Sequence, residues 1–296
     1  MPALSAVNER PVFSIGSRQF RWADVVEEGD WDALRRQAAL GLAALDCTEI
    51  PDAQLDDESA RFRYERNLVA GEEMEAWLGH WELSVGEWRE YLRRHLARER
   101  VQPAETPEAD DRLVWIEAVC SGTLERLAQE AAARAAAADS LGEPDLRRGY
   151  KRFLAEVVTS AALRSSLDAR RADWIRVDCR TLLLASEPAA REAALCVRDD
   201  GMALAEVSAQ AGVEMREHSL YLEDAADELG RALLSARTGE LLGPLPLADR
   251  FALVLVDDKV EPTLDDPEIL RRVQEAVRRR AIEREVVNRV TWHERV

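Results

Sequence analysis

The stretch Trp174-Ile175-Arg176-Val177-Asp178-Cys179-Arg180-Thr181-Leu182-Leu183-Leu184 divides the chain into two kinds of sequence. It alternates between apolar and polar at first, then runs continuously apolar through its three leucines. That is the pattern of a strand. Before it, nearly every segment has a helical period. After it, as far as Pro262, short strands and short helices take turns. Ser186-Glu187-Pro188 caps a helix to about Arg198. A short helix over 203–210 follows, then a strand over 215–222 and a helix over 227–236, stopped by Thr238-Gly239. Leu241 to Leu247 holds Pro244 and Pro246, which limits it to a short edge strand. Phe251-Ala252-Leu253-Val254-Leu255-Val256 reads as a buried strand. The order β-α-α-β-α-β describes a small α+β domain.

Working upstream, Val12 to Gly16 reads as a short strand, and Phe20-Arg21-Trp22-Ala23-Asp24 as the opening of a helical stretch. Leu34, Ala38, Leu42 and Leu45 keep a helical period. Cys47 to Glu58 is acidic, contains Pro51 and is read as a loop, with Asp56-Asp57-Glu58 as a solvated cluster. A helical group spans 60–99. Within it Ser84 and Glu87 fit a capping box, and Trp88, Tyr91, Leu92, His95 and Leu96 share one face. Thr106-Pro107-Glu108 is a start signal for a helix running on through Leu113, Ile116, Cys120, Leu124 and Leu127 into the alanine-rich run 131–138. A further helix is expected from about Pro144 to Ala169.

Downstream, Asp266 caps a last helix whose apolar side is Ile269, Val273, Val277, Ile282, Val286 and Val290. From Glu268 onward eight arginines face five glutamates, so the tail is locally basic. It is expected to dock on the acidic helical region. Ion pairs within the chain are the expected role of Arg278-Arg279-Arg280, and turn and cap roles that of Asp257-Asp258 and Asp265-Asp266. The predicted fold class is α+β: a helical domain over 1–172, a small sheet domain over 173–262, and a C-terminal helix over 263–296 packing back on the helical domain.

The chain has 296 residues, 40 basic and 57 acidic side chains, and a net charge of −17. That sign disfavours nucleic acid and anionic membrane surfaces as partners. No apolar run approaches the ~20 residues needed to span a bilayer. The first residues lack a basic segment followed by an apolar one, so no signal peptide is expected and the expected location is cytoplasmic. The four cysteines, Cys47, Cys120, Cys179 and Cys196, match no zinc spacing and read as reduced thiols. The four histidines, His80, His95, His218 and His293, form no metal motif. Nucleotide and hydrolase motifs are absent, and neither metal nor cofactor is expected.

Leu229-Gly230-Arg231-Ala232-Leu233-Leu234-Ser235-Ala236-Arg237-Thr238-Gly239-Glu240-Leu241-Leu242-Gly243-Pro244 resembles the helix, turn and proline-marked strand of the parvulin peptidyl-prolyl isomerases. The final strand opening on Phe251, with Lys259-Val260-Glu261-Pro262 after it, fits the same pattern. So does the first strand with its Ser186-capped, alanine-rich helix. The helical segments around Trp77 and Trp88 together with the last helix resemble SurA-type chaperones, in which a helical domain and a C-terminal helix pack around a peptide-binding crevice. The resemblance implies two facing histidines, a methionine and a phenylalanine in the isomerase pocket. Here those positions fall at Thr181 and Ala252, near Ala225 and at Leu229. The loop bearing a Cys or Asp has no counterpart between Gly212 and Tyr221, and His218 is read as lying away from the pocket. The resemblance therefore implies an isomerase domain without its catalytic groups.

The expected function is non-catalytic, chaperone-like binding of an extended peptide, including a precursor peptide held for peptide-modifying enzymes in a ribosomal natural-product pathway. An active prolyl isomerase with an atypical site is one alternative, and an adaptor for a folded enzyme another. Peptide-binding positions are Thr181, Leu183, Tyr221, Leu229, Phe251 and Ala252 in the small domain. Trp77, Trp81 and Trp88 in the helical domain either line a crevice with Tyr91 or pack the helix core.

Overall fold

The computed structural model describes residues 7–101, 103, 107–225, 227–247 and 250–294. The chain separates into two compact units, 1–153 with 282–296, and 154–281. The fold is α+β, with a mostly helical first unit and a small antiparallel sheet domain in the second.

The first unit opens with β1 (Pro11–Ile15) and β2 (Arg18–Arg21), then α1 (Trp22–Val25) and α2 (Glu28–Leu45). Phe20 and Arg21 thus complete a hairpin instead of opening a helix. Phe20 stacks on Phe13 at 4.6 Å between ring centroids, which holds it in the strand. The acidic segment read as a loop is instead α3 (Asp52–Glu65). Pro51 marks its start, a position where a missing N–H is harmless. Buried Leu55 and Phe62 give α3 an inner face, and Glu58 pairs with Arg61 at 2.8 Å.

α4 (Gly71–His80) and α5 (Val85–Arg100) follow. The predicted box is present: the Ser84 amide donates to Glu87 Oε2 at 2.8 Å, and the Glu87 amide donates to Ser84 Oγ at 3.2 Å. Of the predicted start at 106–108, Thr106 lies outside the described residues. The helix begins at Asp111, where Asp110 Oδ1 accepts the Leu113 amide at 2.8 Å.

The long helix expected through the alanine run is two, α6 (Asp111–Cys120) and α7 (Thr123–Ser140). Gly122, at φ +75°, turns the chain between them. Arg66 donates to the Cys120 carbonyl at 2.8 Å, satisfying an end group of α6. The next expected helix is likewise two, α8 (Leu146–Val157) and α9 (Ser160–Ala169), with Thr159 Oγ1 accepting the Ala162 amide at 3.2 Å.

The second unit carries β3 (Arg176–Leu184), α10 (Glu187–Arg198), α11 (Leu204–Ala211) and β4 (Met215–Tyr221). It continues with a 3-10 turn (Leu222–Asp224), α12 (Asp227–Ser235), β5 (Leu241–Leu247) and β6 (Arg250–Val260). The expected order β-α-α-β-α-β gains one strand, because residues 241–247 form β5 in full beside β6. The sheet runs β4-β3-β6-β5, every pairing antiparallel. The period of two sorts the continuous leucines onto two faces. Leu182, Leu184 and Leu253 pack with Ala190, Ala194 and Leu204 of α10 and α11. Val177, Cys179, Ala252 and Val254 share the opposite face with Leu233 of α12.

The last helix, α13 (Pro267–Arg289), passes from the second unit into the first, and β7 (Val290–Trp292) follows it. Its early residues Ile269 and Val273 join Leu167 and Trp174 in the second unit. Val286, Val290 and Trp292 pack on the core of the first. The docking is therefore done in part by a strand that periodicity did not reveal: β7 pairs with β1, Trp292 opposite Phe13. Glu294, buried, holds Arg10 at 3.1 Å and lies 2.7 Å from His80 Nε2.

Candidate functional site

A concave pocket of about 490 Å³ lies on the α12 face of the small sheet. Its volume is in the usual range for small-ligand and peptide side-chain sites, ~300–1,000 Å³. β3 supplies Cys179, Thr181 and Leu183, β4 supplies Arg216, His218 and Leu220, and β6 supplies Ala252 and Val254. Leu229 of α12 and Leu245-Pro246-Leu247 of β5 close the sides, with Glu228 at the rim. β3, β4 and β6 contribute alternate residues, because only one parity of each faces this side.

The floor is apolar and one margin is polar. Arg216 approaches Glu214 at 3.6 Å. Burial pushes the Cys179 thiol above its ordinary range, and a hydrogen bond with Thr181 opposes that only in part. At neutral pH the pocket therefore presents a neutral thiol, a hydroxyl and aliphatic surface. These groups can hold an apolar side chain or a proline ring.

Four of the predicted residues converge here: Thr181, Leu183, Leu229 and Ala252. Two do not. Phe251 pairs with Leu184 and packs on the α10–α11 side, as its parity relative to Ala252 requires. Tyr221 belongs to a separate cluster with Trp174, and Arg272 lies over its ring at 4.1 Å. Ala225 is not in the lining.

His218, expected to lie away from the pocket, lines it directly opposite Cys179 in the β3–β4 register. Cys179, Arg216, His218 and Glu228 were not singled out from sequence as site residues. For Cys179 the signal was available, since it shares the parity of Thr181 and Leu183.

The tryptophans interlock inside the first unit. Trp81 and Trp88 are buried, at 4% and 5% exposure, and offer no face to a ligand. Trp77 and Trp88 each sit 5.6 Å from Phe62, and Trp81 lies 5.8 Å from Trp115, whose Nε1 donates to the Trp81 carbonyl at 3.2 Å. Trp81 and Trp88 are thus part of the helix core, and Trp77 packs against that core while partly exposed. Tyr91 is buried beside them.

Among the described residues, no group of three or more His, Cys, Asp or Glu side chains is placed to hold a metal ion. No helix among them is long and apolar enough to cross a membrane.

No family model and no curated protein matches the chain. Solved structures similar to it include the peptidylprolyl isomerase PrsA of Bacillus anthracis. That chain is 10% identical, with 87% of this chain and 96% of that one covered and a TM-score of 0.29. The foldase PrsA of Streptococcus pneumoniae is 9% identical, with 94% and 92% covered and a TM-score of 0.32. A SurA-like chaperone from a study of PEB4 and Cj1289 of Campylobacter jejuni is 10% identical, with 96% and 99% covered and a TM-score of 0.24. The chemistry of the site is therefore read from this chain's own residues.

Proposed function

We propose that this protein is a non-catalytic, chaperone-like peptide-binding protein that holds an extended, partly apolar segment in the pocket of its small sheet domain. The observation that carries this is the pocket itself, an open apolar concavity whose floor comes from three strands and whose sides come from β5 and α12. Thr181 and Ala252 stand where the parvulin resemblance implies histidines, so the groups expected to polarise a twisting amide are replaced by a hydroxyl and a methyl. The barrier to that twist is ~18–20 kcal/mol, and apolar contact alone does little to lower it. The acidic surface favours a neutral or basic client. A short precursor peptide presented to modifying enzymes is the client we favour. The four free thiols support a reducing compartment, the cytoplasm.

The test is binding of fluorescently labelled apolar peptides by anisotropy, alongside a protease-coupled proline assay. Thr181→Trp, which fills the floor, is expected to weaken binding at least tenfold while leaving thermal stability close to wild type. No acceleration of proline isomerisation is expected. Unchanged affinity in a folded Thr181→Trp protein would remove the pocket from consideration. A clear acceleration abolished by His218→Ala would favour an isomerase instead.

A further inference from the structure

β4 is one edge of the small sheet, with a neighbouring strand on one side only. It pairs with β3 in unbroken register from Arg176 opposite Tyr221 to Leu182 opposite Met215. The next pair in that register is Ile175 with Leu222, and the Leu222 amide donates to the Ile175 carbonyl at 3.1 Å. Antiparallel ladders alternate between pairs that bond each other and pairs whose amides and carbonyls point away. Counting back, Leu220, His218 and Arg216 bond inward to β3. Glu217 and Ser219 therefore direct their backbone groups outward along the open edge.

The two edges of the sheet differ. β5 carries Pro244 and Pro246, which have no N–H to offer an added strand. β4 has neither proline nor bulge, and its residues 216–219 are exposed. The two faces along β4 differ as well. Arg216, His218 and Leu220 border the apolar pocket, whereas Glu217 and Ser219 border a concavity of about 560 Å³ with Asp178, Arg180 and Asp257, which His218 and Cys179 also reach. There Arg180 neutralises Asp257 through contacts of 2.6 and 2.9 Å. Asp178 accepts the Ser219 hydroxyl at 2.6 Å and has Arg176 at 3.5 Å. Glu217 is left, among the described residues, as the carboxylate of this concavity without an ion pair.

We infer that an extended peptide adds to β4 as a fifth strand, bonding the outward amides and carbonyls of Glu217 and Ser219, and that it carries apolar residues alternating with basic ones. Residues side by side on neighbouring strands share a face. Peptide side chains beside Arg216, His218 and Leu220 thus turn toward the pocket, and those beside Glu217 and Ser219 turn toward the carboxylates. Strand addition takes affinity from the main chain and specificity from alternate side chains. The inference rests on the peptide-binding reading above and adds to it a strand, a register and a client pattern.

The test uses the full chain and a fluorescent, end-blocked nonapeptide of alternating leucine and arginine, followed by anisotropy. A block peptide of the same composition is expected to bind at least tenfold more weakly. Ser219→Pro, which removes an outward N–H, is expected to weaken binding at least tenfold, and Ser219→Ala less than twofold. Glu217→Lys is expected to shift preference to a leucine–glutamate peptide. N-methylation of one alternate set of probe residues is expected to abolish binding and of the other set to spare it. That pair of probes decides the matter if Ser219→Pro misfolds. Equal binding of the alternating and block peptides, or of both N-methylated probes and their parent, overturns strand addition. If Thr181→Trp abolishes binding while the edge changes do not, the inference falls and the pocket stands. If no apolar peptide binds the wild type, both fall.

Discussion

Cys179 and His218 face each other across β3 and β4, and both line the pocket. This pair does not make an activated thiol. Burial raises the Cys179 thiol above its ordinary range, so at neutral pH it carries its proton and is a poor nucleophile. Cys120 is buried and is raised for the same reason. Cys47 is exposed. Iodoacetamide at pH 7.5 is therefore expected to label Cys47 first and to reach Cys120 and Cys179 only in denaturant, as read by peptide mass mapping. Early labelling of Cys179 would mean that its thiol is ionised and reachable in the folded protein.

Much of the second unit was legible because its strands announce themselves by parity. Once Ala252 is placed in the pocket, a period of two excludes Phe251 from it, so the side that Phe251 takes is legible in the sequence. The opposition of His218 to Cys179 was not. It depends on where β4 starts along β3, which no local pattern fixes. In the first unit the long helices were clear, but their breaks were not. The α6–α7 junction depends on Gly122 and on Arg66 reaching the Cys120 carbonyl from a distant segment. Three residues of β7 become a strand only because β1 offers an edge to pair with.

Gly243 is a backbone requirement of β5. Its φ is +105°, and a Cβ there would overlap the Ala252 carbonyl oxygen on the neighbouring strand. An L side chain is strained at that angle, and the oxygen belongs to backbone that cannot swing aside. Gly243→Ala is expected to destabilise the protein by about 2–4 kcal/mol, the sum of strain and displaced backbone. A shifted urea midpoint with reduced protection of β5 and β6 amides in hydrogen exchange would show it. A wild-type midpoint would mean that β5 relaxes freely at the break in its pairing with β6 between Leu242 and Leu245.

Glu87 links the start of α5 to α6, and it should lose that role in acid. Arg112 holds its carboxyl down, from an ordinary 4.5 to about 2, with help from the Ser84 amide and hydroxyl. Arg112 Nε lies 2.7 Å from Glu87 Oε1. A carboxylate whose folded pKa is depressed adds stability that is full above its unfolded pKa and is lost as pH falls toward the folded value. The expected window is thus from about 4.5 down to about 2. The pair is partly solvated, so its worth is on the order of 1 kcal/mol. Glu87→Gln should flatten that part of the stability–pH curve relative to wild type. Parallel curves from pH 5 to pH 2.5 would remove the linkage.

Arg94 is buried in the first unit, at 1% exposure, and its Nε and Nη2 find no hydrogen-bond partner. Desolvation lowers its pKa against the pull of nearby Glu117. Glu117 is fully buried, takes Arg98 Nη1 at 2.7 Å through Oε1, and leaves Oε2 unbonded. The close approach of Gly41, where a Cβ would come within 2.9 Å of Arg94 Cβ, crowds the stem of Arg94. The two substitutions should therefore behave very differently. Glu117→Gln removes the carboxylate that balances both arginines and is expected to cost about 3–5 kcal/mol, the usual penalty for an uncompensated buried charge. Arg94→Met keeps most of the volume and removes the orphaned donors, so it should be neutral or stabilise by about 1–2 kcal/mol. Urea midpoints of the two variants and of their double mutant separate these terms. The double mutant should be less damaged than Glu117→Gln alone, because one of the two stranded charges is gone. An Arg94→Met protein as weak as Glu117→Gln would show that the Arg94 guanidinium is bonded in solution, through water, to the free oxygen of Glu117.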